Sequence, residues 1–450
     1  MMVNQLNKKD KPKSSVNSIK NIIKKKSVIV SLAIVLTGLG AALTGILFKS
    51  GIHVLDEWRL DLLKNFPAWF VLPMLGGIGG FISSTLITQL APAASGSGVI
   101  QIIGFLKHKS VPMNLKIGIV KLFAGIIAIG SGFPLGPEGP SVQMGGSVAW
   151  QMARWLKAPV AFRRVIVAAG GGAGIAAVFS APLGGFIYAI EELLNSARPV
   201  ILLLVILTTF IADASADVLQ AIGLDPNAGG FDMNLGFLIQ KEYDLSISFL
   251  PIDFFYLIGL GIISGILAEL YTQYVLKMQR IGNLLFKNKL ILRMTIIGIF
   301  LGIIYSFLPS YFYHFGEIKK ILTQEGISID SAISTFIILF ITTGLAAASG
   351  APGGLFFPML TLGGSIGVVA SSLIEALAGH VPSTLVFAGM GGFVAGCSRA
   401  PITAMFLAFA LTKDLLIMKP ILICCIISFL IARIFNEESI YERQLNLESQ

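Results

Sequence analysis

The sequence predicts an all-α integral membrane protein of tilted and broken helices, built as two repeats. Three observations carry this. Mean hydropathy is +0.82, and 55% of residues are hydrophobic with only 13% charged, where a soluble domain carries about 25% charge. Apolar stretches of roughly 20 residues, the length that crosses a bilayer core, recur along the chain. Finally, Ser131-Gly132-x-Pro134-x-Gly136-x-x-x-Pro140-x-x-x-x-Gly145-Gly146-Ser147 returns, shifted by 218, as Ser349-Gly350-x-Pro352-x-Gly354-x-x-x-Pro358-x-x-x-x-Gly363-Gly364-Ser365. At a shift of 219, Ala169-Gly170-x-Gly172 and Ala181-Pro182 return as Ala388-Gly389-x-Gly391 and Ala400-Pro401. Matched apolar segments interrupted by Gly and Pro predict half-helices that meet near the membrane midplane.

The elements follow in order. Residues 1–26 form a basic tail, in which Lys8, Lys9, Lys11, Lys13, Lys20, Lys24, Lys25 and Lys26 against Asp10 supply +7 of the net charge of +9. Such a tail marks the cytoplasmic side. The apolar run after it is too long for a signal peptide and lacks a clear cleavage site, so it is expected to stay as an anchor. Spans are expected near 28–48, 67–90, 114–135, 199–222, 252–276, 290–312, 333–348, 354–378 and 415–434, with interrupted ones near 165–192 and 384–411. Phe66-Pro67 restarts the chain into the second span, which ends at Ala91-Pro92. Val99–Leu106 is too short to cross and reads as a half-helix that starts at the glycine-serine loop before it.

Arg154, Lys157, Arg163 and Arg164 mark a cytoplasmic loop. From Arg164 to Glu191 the breaks at Gly170-Gly171-Gly172 and Ala181-Pro182 suit two short helices, one going in and one returning. Glu191 and Glu192 then come back to the cytoplasmic side; a single long crossing would put them outside. The polar stretch 223–250, with Asp225, Asn227, Asp232, Asn234 and Asp244, is expected to be an external connection. It separates a first membrane repeat, 27–222, from a second, 251–445. Lys277, Arg280, Lys287, Lys289 and Arg293 mark another cytoplasmic turn, and no soluble regulatory domain is expected after Tyr441.

Composition excludes several function classes. The basic excess sits in a tail rather than over a folded face, which excludes nucleic acid as a partner. Cys397, Cys424 and Cys425 are an odd number without framework spacing, and His53, His108, His314 and His380 are scattered, so neither disulfides nor a metal is expected. A membrane-embedded enzyme would need a nucleophile with a base or facing carboxylates, and neither Ser97 nor Ser131 has a suggestive histidine. A cation transporter would set carboxylates near broken-helix carbonyl ends, whereas the glycine motifs here expose N-termini.

Those N-termini suit an anion. A helix start offers unpaired N–H groups and about half a positive charge, enough to hold an ion without trapping it. Gly96-Ser97-Gly98, Gly136-Pro137-Glu138-Gly139-Pro140 and Gly354-Leu355-Phe356-Phe357-Pro358 each set glycine before an apolar helical run. Glycine lets backbone approach closely, and proline in a first helical turn loses no hydrogen bond. Glu138, in such a first turn, can act as a tethered anion. Its counterpart in the second repeat is Phe356, so the carboxylate belongs to one half only.

With Ser439-Ile440-Tyr441 added, the chain resembles the CLC family of chloride channels and chloride/proton antiporters, in the prokaryotic type without CBS domains, from about residue 28 to 445. The resemblance implies the CLC fold of two inverted-topology repeats, whereas spacing alone establishes only a repeat. It also implies a homodimer in the cell's inner membrane with the N-terminus cytoplasmic, transporting chloride and protons with no other cofactor. Glu138 corresponds to the external gate and Glu192 to the internal proton-transfer residue. Ser97, Tyr441 and the backbone of Leu355, Phe356 and Gly139 correspond to the chloride site, held by Gly96, Gly98, Gly136, Gly354 and Pro358. Lys121, inside an apolar helix, corresponds to a basic residue of structural or electrostatic use. The implied activity is secondary chloride/proton antiport, two chlorides per proton, and the alternative is a passive chloride channel on the same fold. Ser97 fits chloride better than nitrate, and Ser97 with Tyr441 argues against fluoride export. The departures from the pattern are Pro137 in place of Arg or Lys; Ile100 in place of proline; Gln101 and Ile103 in place of acidic residues; and Ala410 in place of glutamate.

Overall fold

The computed structural model describes residues 13–224, 252–287, 289–313, 328–379, 384–412 and 415–448. Most of the polar connection expected at 223–250, the first twelve residues, His314 and His380 lie outside them. In the first half the helices are α1 (Lys13–Asn65), α2 (Ala68–Leu90), α3 (Val99–Leu106), α4 (Leu115–Gly130), α5 (Glu138–Trp155), α6 (Val160–Phe179), α7 (Pro182–Tyr188) and α8 (Pro199–Ala221). The second half has α9 (Asp253–Phe286), α10 (Leu290–Ser306), α11 (Ile329–Ser349), α12 (Phe356–Ala378), α13 (Leu385–Ser398), α14 (Pro401–Thr412) and α15 (Met418–Phe435). A short helix, α16 (Ile440–Glu448), follows. Among the described residues, eight helices are long and apolar enough to cross a membrane.

Local chemistry sets these boundaries. Asn114 starts α4 by accepting a hydrogen bond from the Ile117 N–H at 3.0 Å, and Ser328 starts α11 in the same way on Ser331 at 3.2 Å, each satisfying a donor that the first turn leaves free. Pro182 and Pro199 occupy first helical positions, where a missing N–H does no harm. Left-handed Ser180 and Arg399 end α6 and α13 at equivalent places. α7 then folds back on α6, since a Cβ on Gly172 would strike the Gly185 carbonyl and one on Gly185 the Gly172 carbonyl. The chain therefore enters and returns, and Glu191 and Glu192 lie on a π-helical turn, Ala189–Leu194, at the end of the return. The entering helix has 20 residues rather than a short half-length. Small residues, which leave its backbone hydrogen bonds undisturbed, do not break a helix; only the Ser180 turn does.

The first crossing also differs from expectation. Its apolar helix runs 39 residues, Ser27–Asn65, well beyond the stretch near 28–48. At about 1.5 Å per residue it spans roughly 58 Å, so it must tilt or project beyond a core of about 30 Å. Polar residues near its end explain the extension: Arg59 pairs with Asp56 and donates to the carbonyls of Gly130, at 2.9 Å, and Tyr313.

The two halves are packed alike. Helices α4 to α8 and α11 to α15 succeed one another with the spacing of the sequence repeat. The crossing of α5 with α6 is made where a Cβ on Gly145 would meet the Gly170 carbonyl, and the crossing of α12 with α13 where one on Gly363 would meet the Gly389 carbonyl. The halves meet at equivalent points. Gly136 N–H donates to the Gly354 carbonyl at 2.8 Å and Gly354 N–H to the Gly136 carbonyl at 2.7 Å, an antiparallel bridge between residues 218 apart. A contact in which each residue does to its counterpart what is done to it has local two-fold symmetry, as two repeats related by a pseudo-two-fold axis require. The molecule is a membrane protein of two inverted-topology repeats.

Candidate functional site

Three helix starts converge beside the bridge. Gly98 precedes α3 with φ of 102°, in the left-handed region that favours glycine, and a Cβ there would strike the Gly139 carbonyl in α5. A Cβ on Gly139 would in turn strike Ser97 and come within 3.0 Å of the Gly354 Cα. The beginnings of α3, α5 and α12 therefore touch, and their free N–H groups gather at one locus.

Glu138 crosses that locus. It is the first residue of α5, 3% exposed, and its Oε1 accepts from the backbone N–H of Phe356 at 2.6 Å and of Phe357 at 3.3 Å. The carboxylate thereby caps the start of α12 from another helix and stands where a free anion would take the same two donors. Its Oε2 has no hydrogen-bond partner among the described residues. The Phe356 ring packs edge-on against Phe179, centroids 6.1 Å apart, and closes one side of the site with apolar surface.

Ser97 lies next to these groups, buried, with its hydroxyl unpartnered among the described residues. The loop that carries it is held at several points. Gln101 accepts from the Gly98 N–H at 2.9 Å and donates to the Ser95 carbonyl at 3.1 Å. The Gly96 N–H donates to the Gly350 carbonyl at 2.9 Å, tying the loop to the second repeat. Lys121, wholly buried, donates its Nζ to the carbonyls of Ala94, at 3.1 Å, and Gly96. Replacing Lys121 with Met is expected to orphan both carbonyls, at about 1–3 kcal/mol each, and so to lower the thermal midpoint in detergent and weaken chloride binding. Isothermal titration with chloride and a thermal melt read the two effects.

Tyr441 belongs to α16. It is buried and lies within electrostatic range of Glu138 and Glu192, as does Tyr188 of α7, whose buried hydroxyl is unpartnered among the described residues. α16 is anchored by an ionic cluster, in which Glu269 of α9 pairs with Arg443 at 2.8 Å and with Arg399, before α14, at 2.7 Å. Glu192 accepts from the Ser439 hydroxyl at 3.2 Å. Glu191, its neighbour, is occupied differently: both oxygens cap the start of α14, through the N–H of Ile402 at 3.2 Å and the N–H and hydroxyl of Thr403, both at 2.7 Å. A cavity of about 70 Å³, lined by Ser97, Leu355, Arg293, Gln444 and Glu448 among others, adjoins the site.

The sequence profile of the family described as Voltage gated chloride channel matches residues 79–433. The chain belongs to this family, the CLC family. Among its relatives is the H(+)/Cl(-) exchange transporter ClcA of Vibrio parahaemolyticus, 28% identical over 434 residues that cover 93% of this chain and 89% of the relative. The ClcA protein of Vibrio campbellii is 29% identical, with the same coverage of both chains. The solved structure of a slow cyanobacterial Cl⁻/H⁺ antiporter superposes with a TM-score of 0.83 at 25% identity, covering 93% of this chain and 98% of that one. A CLC-type fluoride/proton antiporter shares the fold, with a TM-score of 0.73 at 20% identity over 92% of this chain and 97% of that one.

In this CLC chain the predicted residues do not all come together. Ser97, Glu138, Gly139, Gly354 and Phe356 share one locus, with Gly96, Gly98 and Gly136 supporting it. The N–H groups that receive Glu138 are those of Phe356 and, beyond the predicted set, Phe357; Leu355 is the N-cap residue of α12 and lines the adjoining cavity with Ser97. Sequence reasoning also missed Tyr188 and Ser439. Ser439 opens the pattern Ser439-x-x-Glu442, a capping-box signature that was there to be read. Gln101, counted as a loss of acid, is a brace for the Ser97 loop. Among the described residues no group of His, Cys, Asp and Glu clusters as metal ligands.

Proposed function

We propose that this chain exchanges chloride for protons across the membrane, with Glu138 as the anion-competing gate and Glu192 as the inner proton-transfer group. The observation that carries the reading is the Glu138 carboxylate on the start of α12. A side chain that mimics the transported anion must leave before chloride can take its place. It leaves when protonated, because a neutral carboxyl loses its attraction to the helix start. One carboxyl thus serves both ions. Chloride then has the Phe356 and Phe357 N–H groups, with hydroxyl protons from Ser97 and Tyr441. The names of the ClcA relatives and of the cyanobacterial structure support exchange, as does the retention of Glu192 beside Ser439. Four further assignments belong to the same proposal: repeats at 27–222 and 251–445, a cytoplasmic N-terminus, the inner membrane, and a homodimer with one pathway per subunit.

The test is proton movement into proteoliposomes driven only by a chloride gradient. Wild type is expected to move protons uphill, and Glu192→Gln to lower proton movement at least a hundredfold, the scale of a lost proton-transfer group, while chloride still flows. Chloride flux without proton movement in the wild type would make the protein a passive channel on this fold. The absence of any anion flux would overturn the reading altogether.

A further inference from the structure

Ser439 is the residue that touches both halves of the proposed chemistry. It is buried, and its hydroxyl oxygen accepts from the backbone N–H of Glu442 at 3.2 Å while its hydroxyl proton goes to Glu192 Oε1 at 3.2 Å. The Ser439 N–H in turn meets a carboxylate oxygen of Glu442 at 3.4 Å, completing a capping box at the start of α16. The other oxygen of Glu442 pairs with Lys107 at the end of α3. A serine hydroxyl has one proton. Once its oxygen is engaged as a cap, that proton has one direction, and the acceptor there is the Glu192 carboxylate. Two residues further on is Tyr441, in the same first turn of α16.

We propose that Ser439 is a positioning residue that couples the proton site to the anion site, by holding the Glu192 carboxylate with the same hydroxyl that fixes the turn carrying Tyr441. The proposal rests on the exchange reading above and adds to it a physical connection. With Glu192 ionised, the bond is charge-assisted and strong. When Glu192 takes a proton, the bond weakens or reverses its donor, and the cap of α16 is released from one of its two commitments. The Tyr441 turn then responds to the proton load of Glu192, with no large motion required. Glu191 cannot serve instead, since both of its oxygens are engaged on α14.

Three variants of the full chain in proteoliposomes test this, with Glu192→Gln in parallel. Ser439→Gly keeps most of the N-cap preference but removes the hydroxyl, Ser439→Ala removes both, and Ser439→Thr keeps both. The Gly and Ala variants are expected to move about tenfold fewer protons per chloride than wild type, the scale of one hydrogen bond to a charged group. Chloride binding to the purified protein weakens several-fold in both, and Thr restores both properties. If Gly and Ala keep the wild-type proton-to-chloride ratio while Glu192→Gln uncouples, the inference fails and the exchange reading stands. If Thr behaves like Ala, the hydroxyl is not the determinant and the inference also fails. A Glu192→Gln protein that still exchanges normally would remove Glu192 from the proton path and the inference with it, whereas a wild type that passes chloride without protons would sink the exchange reading itself. Should the Gly variant transport nothing, the chloride titration decides: wild-type affinity there would overturn the link to Tyr441, and affinity lost in Gly but regained in Thr would uphold it.

Discussion

Proteoliposomes carrying Glu138→Gln are expected to take up no protons against a chloride gradient and to pass chloride at a rate that does not change with pH. Glutamine is nearly isosteric with the protonated acid and cannot ionise. In the native chain the Glu138 carboxyl occupies the Phe356 and Phe357 N–H groups, and in the proposed mechanism chloride enters only when a proton displaces it. Wild-type chloride flux should therefore rise as pH falls, and the sign follows from which form blocks: the ionised form, favoured at high pH, is the competitor. The variant lacks that form at every pH. Its chloride affinity should also rise, because an anion no longer competes with a tethered charge that the helix start favours by about 0.3–2 kcal/mol. A Glu138→Gln protein with wild-type proton uptake, or with chloride flux that still climbs steeply on acidification, would remove Glu138 from the gate. Flux assays over a pH series with a chloride electrode and a proton electrode give both answers together.

Gly354→Ala should damage the site severely through a single added methyl group. A Cβ there collides with the Glu138 carboxylate and lies 2.7 Å from the Gly139 backbone nitrogen. The side chain could move; the backbone of α5 cannot, because Gly136 and Gly354 are joined by two hydrogen bonds. The bridge, the Glu138 cap and the approach of α5 to α12 are all disturbed together. Overpacking of this kind costs about 1–3 kcal/mol, and displacing a binding group by about 1 Å costs roughly a hundredfold in rate. Chloride flux is accordingly expected to drop about a hundredfold, with a lowered thermal midpoint. Gly259→Ala is the control, since a Cβ at that helical position meets nothing within 4 Å, and it should be neutral or stabilising by up to about 1 kcal/mol. Equal damage from both would show that the site tolerates no specific argument from the crossing at Gly354.

The sequence reached the architecture because a bilayer leaves few choices: apolar runs must be helices, and interruptions must fall where other protein covers them. The repeat pointed to Gly136 and Gly354 as equivalents, yet only folding brings them into contact with each other. Glu138 stood out because its counterpart, Phe356, is apolar. That Phe356 would itself donate to Glu138 follows from the symmetry axis, which no spacing reveals. Phe357 was missed for a related reason, since backbone donors carry no residue signature and one position of helical register decides which N–H faces the ion. Gln101 and Lys121 act on carbonyls of a loop, and carbonyls are the same in every sequence. Ser439 was within reach, because Ser-x-x-Glu before a helix is a local signal; its proton acceptor, 247 residues earlier, was not.

The reciprocal bridge at the centre has a kinetic consequence. A transporter that works by rocking one half against the other needs a seam that can slide, and here the seam is pinned by paired hydrogen bonds between the halves at the site itself. Whatever alternates must then be smaller than a half of the protein: a carboxyl arm, a tyrosine, a single helical turn. Side-chain rotation takes picoseconds to nanoseconds, whereas domain rearrangement takes microseconds to milliseconds. In the proposed mechanism the ceiling on turnover is then expected to be set by the arrival and departure of protons rather than by motion of the bulk of the fold.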